Sequence, residues 1–225
     1  MKGYNKQKGI YFYLPVLFVL FLTSCMDSGE TTSIADCYEN PEISSYQVKK
    51  IALLPILPDD TTNIGAFYAT NHLYNILDEQ DTSLILADID WVREFDCSFV
   101  DKQIDNISRT SQFDIDSFYN SKIGYDLIED GYDAVLMGTI DSIHISPGTF
   151  IGSHTMFGWR TFCKFTYYLM SLKDGKILWK ADVNGEEIWE TKNFYINEIP
   201  PVDAAISNGI DIMIDVLSKG IFKIE

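Results

Sequence analysis

Histidine is scarce in this chain: His72, His144 and His154 are the only three. None stands in a His-Glu-x-x-His or His-x-His arrangement, so a zinc site has no foothold. The four cysteines form no Cys-x-x-Cys, which removes thioredoxin-type and zinc-ribbon readings. No Gly-x-x-x-x-Gly-Lys or Gly-x-Gly-x-x-Gly cradles a phosphate, and no Gly-x-Ser-x-Gly elbow activates a serine. Asp88 and Asp90, and Asp114 and Asp116, resemble paired carboxylates, but neither pair continues into the glycine and distal glutamate of a calcium loop. They read as solvated acidic surface. No catalytic residue, metal site or nucleotide cofactor is expected.

Basic residues are also few, 17 against 33 acidic ones. Three of the lysines, Lys2, Lys6 and Lys8, sit together at the amino terminus and precede the apolar stretch Ile10 to Leu22. That stretch is shorter than the roughly 20 residues a bilayer helix needs, contains Pro15, and ends in small residues, as secretory signals do. Leu22-Thr23-Ser24-Cys25 follows directly. It resembles the lipobox of bacterial lipoproteins, which implies cleavage after Ser24 and diacylation of Cys25. In such lipoproteins an aspartate next to the cysteine marks retention at the inner membrane. Here that place is held by Met26, with the acid at Asp27, which implies the outer membrane.

Residues 1–24 hold three lysines and no acid, so the mature chain carries 14 basic against 33 acidic residues, a net charge of −19. Such a surface repels nucleic acid and anionic headgroups. Membrane attachment therefore falls to the lipid on Cys25, and more than one acyl chain is needed for a stable hold.

From Met26 to about Ser45 the chain is rich in Ser, Thr, Asp, Glu and Asn without hydrophobic periodicity, and reads as a tether. Residues 46–225 are long enough for one globular domain. Val48 to Leu57 is a nearly continuous apolar run, expected as a buried central strand. Asn63 to Gln80 places Ala66, Ala69, Leu73, Ile76 and Leu77 at helical spacing, leaving Phe67 and Tyr68 on the other side, either covered or open to a partner. Ser83 to Ala87 is a second strand, and 88–113 reads as short helix and loop. A single helix is expected over 114–130, ended by Gly131, then a strand from Tyr132 to Ile143. Asp174-Gly175 marks a hairpin turn between strands at 162–172 and 176–183, and Val202 to Lys219 is a closing amphipathic helix. The order implies an α/β (α+β) fold: a mixed sheet of about five strands with packed helices. Cys37, Cys97 and Cys163 leave two readings open, one disulfide plus a thiol or three unpaired thiols.

Lys50-Ile51-Ala52-Leu53-Leu54-Pro55, Gly131-Tyr132-Asp133-Ala134-Val135-Leu136-Met137-Gly138 and Asp174-Gly175-Lys176-Ile177-Leu178-Trp179 together resemble a broad family of envelope lipoproteins. These are related to the amino-terminal domain of TolB, the curli-secretion lipoprotein CsgG and the penicillin-binding-protein activator LpoB. The resemblance implies architecture, and it covers most of residues 46 to 222. The chain departs from CsgG in showing no pair of long alternating hairpins that could build a barrel. Ser146 to Arg160, with Pro147, Gly148, Gly152 and Gly158, reads instead as an irregular loop. Its Phe150, Met156, Phe157 and Trp159 either cap the core or present adaptable apolar contacts to a partner.

Three functions are consistent with these features. An envelope adaptor would capture another envelope protein without turnover. A structural subunit would form a homo-oligomer. A hydrolase with an unfamiliar site would lose activity on changing His144 or His154. Replacing Cys25 with Ala should abolish palmitate incorporation and move the protein from the membrane to the soluble fraction, with the fold intact. Membrane retention of the unlipidated protein contradicts the anchor.

Overall fold

The computed structural model describes residues 32–57, 63–79, 85–86, 97–151, 155–191 and 201–219. The expected signal segment, residues 1–24, and Cys25 lie outside them. Twelve elements follow in order: β1 (Ser33–Glu39), α1 (Ile43–Tyr46), β2 (Lys50–Leu53), α2 (Asn63–Glu79), β3 (Ile85–Leu86), α3 (Cys97–Thr110), α4 (Ile115–Tyr119), α5 (Lys122–Glu129), β4 (Ala134–Ile151), β5 (Thr155–Ser171), β6 (Ile177–Thr191) and α6 (Val202–Leu217). They form one mixed six-stranded sheet in the order β1-β6-β5-β4-β2-β3. β2 pairs in parallel with both β3 and β4, and the other pairings are antiparallel. The α/β class read from the sequence is the observed one.

Two apolar clusters follow from the two faces of this sheet. On one face Ala66, Ala69, Leu73 and Leu77 of α2, and Ile206, Ile210, Met213 and Leu217 of α6, pack on Leu136, Phe165, Tyr167, Leu169 and Trp179. On the other, Val100 and Ile107 of α3, Phe118 of α4 and Leu127 of α5 pack on Val135, Met137, Tyr168 and Met170. Alternate residues of β4 and β5 supply the two faces, so the apolar run 134–137 is buried on both sides.

Four expectations change. The tether reading of 25–45 ends early, because Ser33–Glu39 is an edge strand on β6 and Ile43–Tyr46 a helical turn. Its polarity is that of an exposed sheet edge, which is why strand periodicity was hidden and why six strands replace about five. The segment 88–113 contains a 14-residue helix, α3, in which Val100, Gln103 and Ile107 are the fully buried residues among the described side chains. The single helix over 114–130 is two. Asp114 caps α4 by accepting from the Ser117 N–H, and Ser121 starts α5 by accepting from the Gly124 N–H. Gly131 does end α5, at φ +75°, with the Tyr132 N–H donating to the Leu127 carbonyl. The fourth change concerns 146–151 and 155–160, where strands replace the expected loop.

One close approach fixes the position of α6. A Cβ on Gly185 of β6 would lie 2.0 Å from the Ala205 carbonyl oxygen and 2.9 Å from the Gly209 nitrogen. Backbone cannot yield there as a side-chain tip can. Gly185→Ala should therefore push α6 off the sheet and cost about 3 kcal/mol, read as a lower midpoint in urea unfolding. An unchanged midpoint contradicts this packing.

Candidate functional site

β4 and β5 run side by side far beyond the part of the sheet that carries the core. Their ladder continues without a break from Ala134 opposite Ser171 to Ile151 opposite Thr155, interrupted by one bulge at Asp141. Beyond the bulge, Ser142–Ile151 and Thr155–Lys164 are ten residues each, about 33 Å of strand. The expectation of an irregular loop is thus corrected at 146–151 and 155–160, which are strand. Ser142-Ile143-His144-Ile145-Ser146 already has period two, but Pro147 and three glycines mask the rest.

Pro147 is tolerated because of where the bulge leaves it. Before the bulge the Leu136 and Gly138 carbonyls accept from Leu54 and Leu57, and the Ile140 N–H donates to the Leu57 carbonyl, so even-numbered backbone faces β2. β5 keeps its alternation while Asp141 is inserted opposite it, so the alternation on β4 reverses. Ile143, Ile145 and Pro147 then turn their backbone groups outward. Among the described residues no strand pairs with this outer edge beyond Thr139. A proline there removes a donor that the ladder does not use.

The register brings the four sequence-predicted residues to one place, the end of this hairpin. Phe150 lies opposite Met156, Phe157 opposite Thr149, and Trp159 opposite Pro147 on one side and Trp189 of β6 on the other. Trp159 is half-buried. Residues the sequence reading passed over complete the surface. Ile143 packs on the α2/α6 cluster, and next to it on the same face Ile145 is 44% exposed and Pro147 is exposed. At the base, Arg160 and Glu186 form an ion pair with both side chains largely withdrawn from solvent, and the Arg160 guanidinium lies 5.6 Å from the Phe162 ring centre.

A row of polar groups crosses the sheet at the bulge. The Thr166 hydroxyl lies 2.7 Å from Asp141 Oδ2 and 3.1 Å from Asp182 Oδ1. One hydroxyl carries one proton, so only one carboxylate can accept it at a time. Lys180 Nζ, 3.0 Å from Asp182 Oδ2, compensates the second. Partial burial pushes the Asp141 carboxyl above its ordinary value of 3.8, the Thr166 bond pulls it back, and the Asp182 charge pushes it further up.

The remaining groups singled out in the sequence are not gathered at this hairpin. His72 lies 3.4 Å from Asp211, linking α2 to α6, while His144 is exposed on β4. Asp114 is a helix cap. Asp88, Asp90, Ser153 and His154 lie outside the described residues. Tyr68 is covered, with its hydroxyl 2.9 Å from Ser207, and Phe67 is 59% exposed. Cys37 is an exposed free thiol on β1 and Cys163 a buried one, its pKa pushed up to about 12 by burial. Among the described residues no group of three or more His, Cys, Asp or Glu could hold a metal, and no helix is long and apolar enough to cross a membrane.

No protein-family model matches the sequence, and no curated protein matches it. Solved structures similar to this chain include the PelC dodecamer from Paraburkholderia phytofirmans, at 12% identity over 84% of this chain and 96% of that one, TM-score 0.44. Lipoprotein GNA1162 from Neisseria meningitidis matches at 14% identity over 76% and 95%, TM-score 0.41. A minor lipoprotein from Acinetobacter baumannii matches at 9% identity over 78% and 91%, TM-score 0.36. Likeness at this level carries no function across, so function has to be read from the chain's own residues.

A raised carboxyl pKa penalises the folded state as pH rises from the unfolded value of 3.8 through the folded one, and the penalty stays constant above that. Asp141→Asn keeps the acceptor for Thr166 and removes the charge. It should raise Tm by about 1–2 °C at pH 7, the residue being exposed to screening solvent, and the gain should vanish as pH falls toward 3.8. A variant less stable at neutral pH contradicts the arrangement.

Proposed function

We propose that this chain is a non-catalytic bacterial envelope lipoprotein, held at the outer membrane by lipid on Cys25, that acts as an adaptor by docking another envelope protein on the β4–β5 hairpin. The observation that carries the reading is the hairpin itself. Both strands continue to Ile151 and Thr155, past the point where Ile143 and Cys163 still pack on the core, with an outward backbone edge at Ile143 and Ile145 and exposed apolar side chains at Ile145 and Pro147. A strand edge supplies main-chain hydrogen bonds to an added strand, and apolar side chains beside it supply affinity. The aromatic and sulfur side chains of Phe150, Met156, Phe157 and Trp159 at its end are residue types enriched where proteins meet. The family resemblance to TolB, CsgG and LpoB belongs to the same proposal. The polar groups at the bulge support a structural role, because Asp141, Thr166, Asp182 and Lys180 satisfy one another.

A second reading, a self-assembling subunit, is favoured by the same edge. Ile143 and Ile145 of one copy can face Ile145 and Ile143 of another across a two-fold axis, as an isologous contact requires. A net charge of −19 on each mature copy opposes that contact, which places it second.

A photo-crosslinking side chain at position 145 should capture one envelope protein in intact cells. The same group at Asp203, on α6, should not. With the crosslinker moved to the neighbouring exposed Pro147, Ile145→Asp should abolish the capture while changing Tm by less than about 2 °C, since the Ile145 side chain is exposed. Capture of a second copy of this chain at position 145 selects the second reading, and equal capture at both positions contradicts docking on the hairpin.

A further inference from the structure

The opposite edge of the sheet carries a second surface. β1 ends the sheet, and among the described residues no strand pairs with its outer side. The Asn40 N–H donates to the Leu178 carbonyl, and Tyr38 lies opposite Lys180 in the register, so even-numbered backbone of β1 faces β6 while Cys37 and Glu39 turn outward. Beside this strand, a cleft of about 880 Å³ opens between β1–β6, the turn at Asp174–Lys176 and the α3–α4 connection. Tyr38, 46% exposed, stands on one wall, and Asp114 and Asp116 stand on the other.

Charge decides what fits. Both lysines of the cleft are already engaged, Lys176 with Glu42 and Asp174, Lys180 with Asp182. Asp116, exposed in the first turn of α4 and lining the cleft with Tyr38, makes no ion pair among the described residues, and Asp36 is an exposed carboxylate on the Tyr38 face of β1, its Oδ1 accepting from the Cys37 N–H. An exposed tyrosine facing an unpaired carboxylate attracts a cation by its ring face as well as by charge. A second copy of this chain would bring its own Asp36 and Glu39 to the same edge, and the like charges gathered there repel.

We infer that the β1 edge and its cleft bind an extended lysine- or arginine-bearing segment of a partner protein, added as a strand along Cys37–Glu39 with a basic side chain over Tyr38 facing Asp116. This rests on the partner-binding reading and adds a second contact at the other edge of the sheet. The strand supplies backbone pairing, and the carboxylates select the sign of the partner's charge.

The test uses the full lipidated protein in neutral detergent and an eight-residue probe peptide alternating lysine and valine. It should bind saturably, while the glutamate–valine counterpart should not. Tyr38→Ala and Asp116→Lys should each weaken binding about fivefold or more. Asp78→Lys, an exposed reversal on α2 that changes net charge equally, should alter it less than twofold. N-methylation of alternate backbone nitrogens of the peptide should abolish binding. Equal losses from Asp116→Lys and Asp78→Lys, or binding indifferent to N-methylation, overturn the inference. Neither result touches crosslinking from position 145, so failure here is distinguishable from failure of the adaptor reading. Unchanged thermal melting of the variants establishes that each has folded.

Discussion

The antiparallel ladder between β4 and β5 is the constraint on which the molecule depends. Its first seven residue pairs, Ala134–Ile140 with Phe165–Ser171, hold both apolar clusters, because alternate side chains of the same strands feed α2 and α6 on one face and α3, α4 and α5 on the other. Beyond Ile143 and Cys163, which still pack on the α2/α6 cluster, the same ladder leaves the core and becomes the scaffold of the candidate docking surface. Surface and core are covalently and register-wise one object, so a slip of one residue in the hairpin would also exchange the two faces of the core.

The bulge at Asp141 separates these two duties. Up to Thr139 the outer side of β4 is paired with the chain segment Lys50–Leu57, and the isolated bridge from Leu57 closes that pairing. One inserted residue then reverses the alternation and turns Ile143, Ile145 and Pro147 outward. Pro147 limits how far a strand can be added, a device by which an exposed edge stays useful without becoming an indiscriminate one. The acidic surface acts in the same direction. Copies of the chain repel one another, whereas a basic partner is drawn to it.

Much of the α/β core was legible in the sequence, for physical reasons that also explain the rest. Ile51–Leu57 and Ala134–Gly138 are buried on both faces and read as nearly unbroken apolar runs; α2 and α6 carry full helical stripes; Gly131 and Gly175 stand at φ +75° and +68°, where the helix stop and the turn require them. β1 was hidden because an exposed edge strand needs no apolar face, and α3 because, among its described side chains, only Val100, Gln103 and Ile107 are fully buried. The hairpin was hidden by its proline and glycines, whose penalty depends on which way the backbone faces, and that is set by a bulge no local pattern announces. The four residues Phe150, Met156, Phe157 and Trp159 were singled out by composition alone. Ile145 and Tyr38 were missed because their significance is exposure, a property of the fold.

Amide hydrogen exchange along Ser142 to Ser146 tests the account most directly. A hairpin with an open outer edge predicts slow exchange at Ser142, His144 and Ser146, whose N–H groups face β5, and fast exchange at Ile143 and Ile145, whose N–H groups face outward. Uniformly fast exchange would mean an irregular loop, and uniformly slow exchange a covered edge. Either would contradict the hairpin as a docking surface.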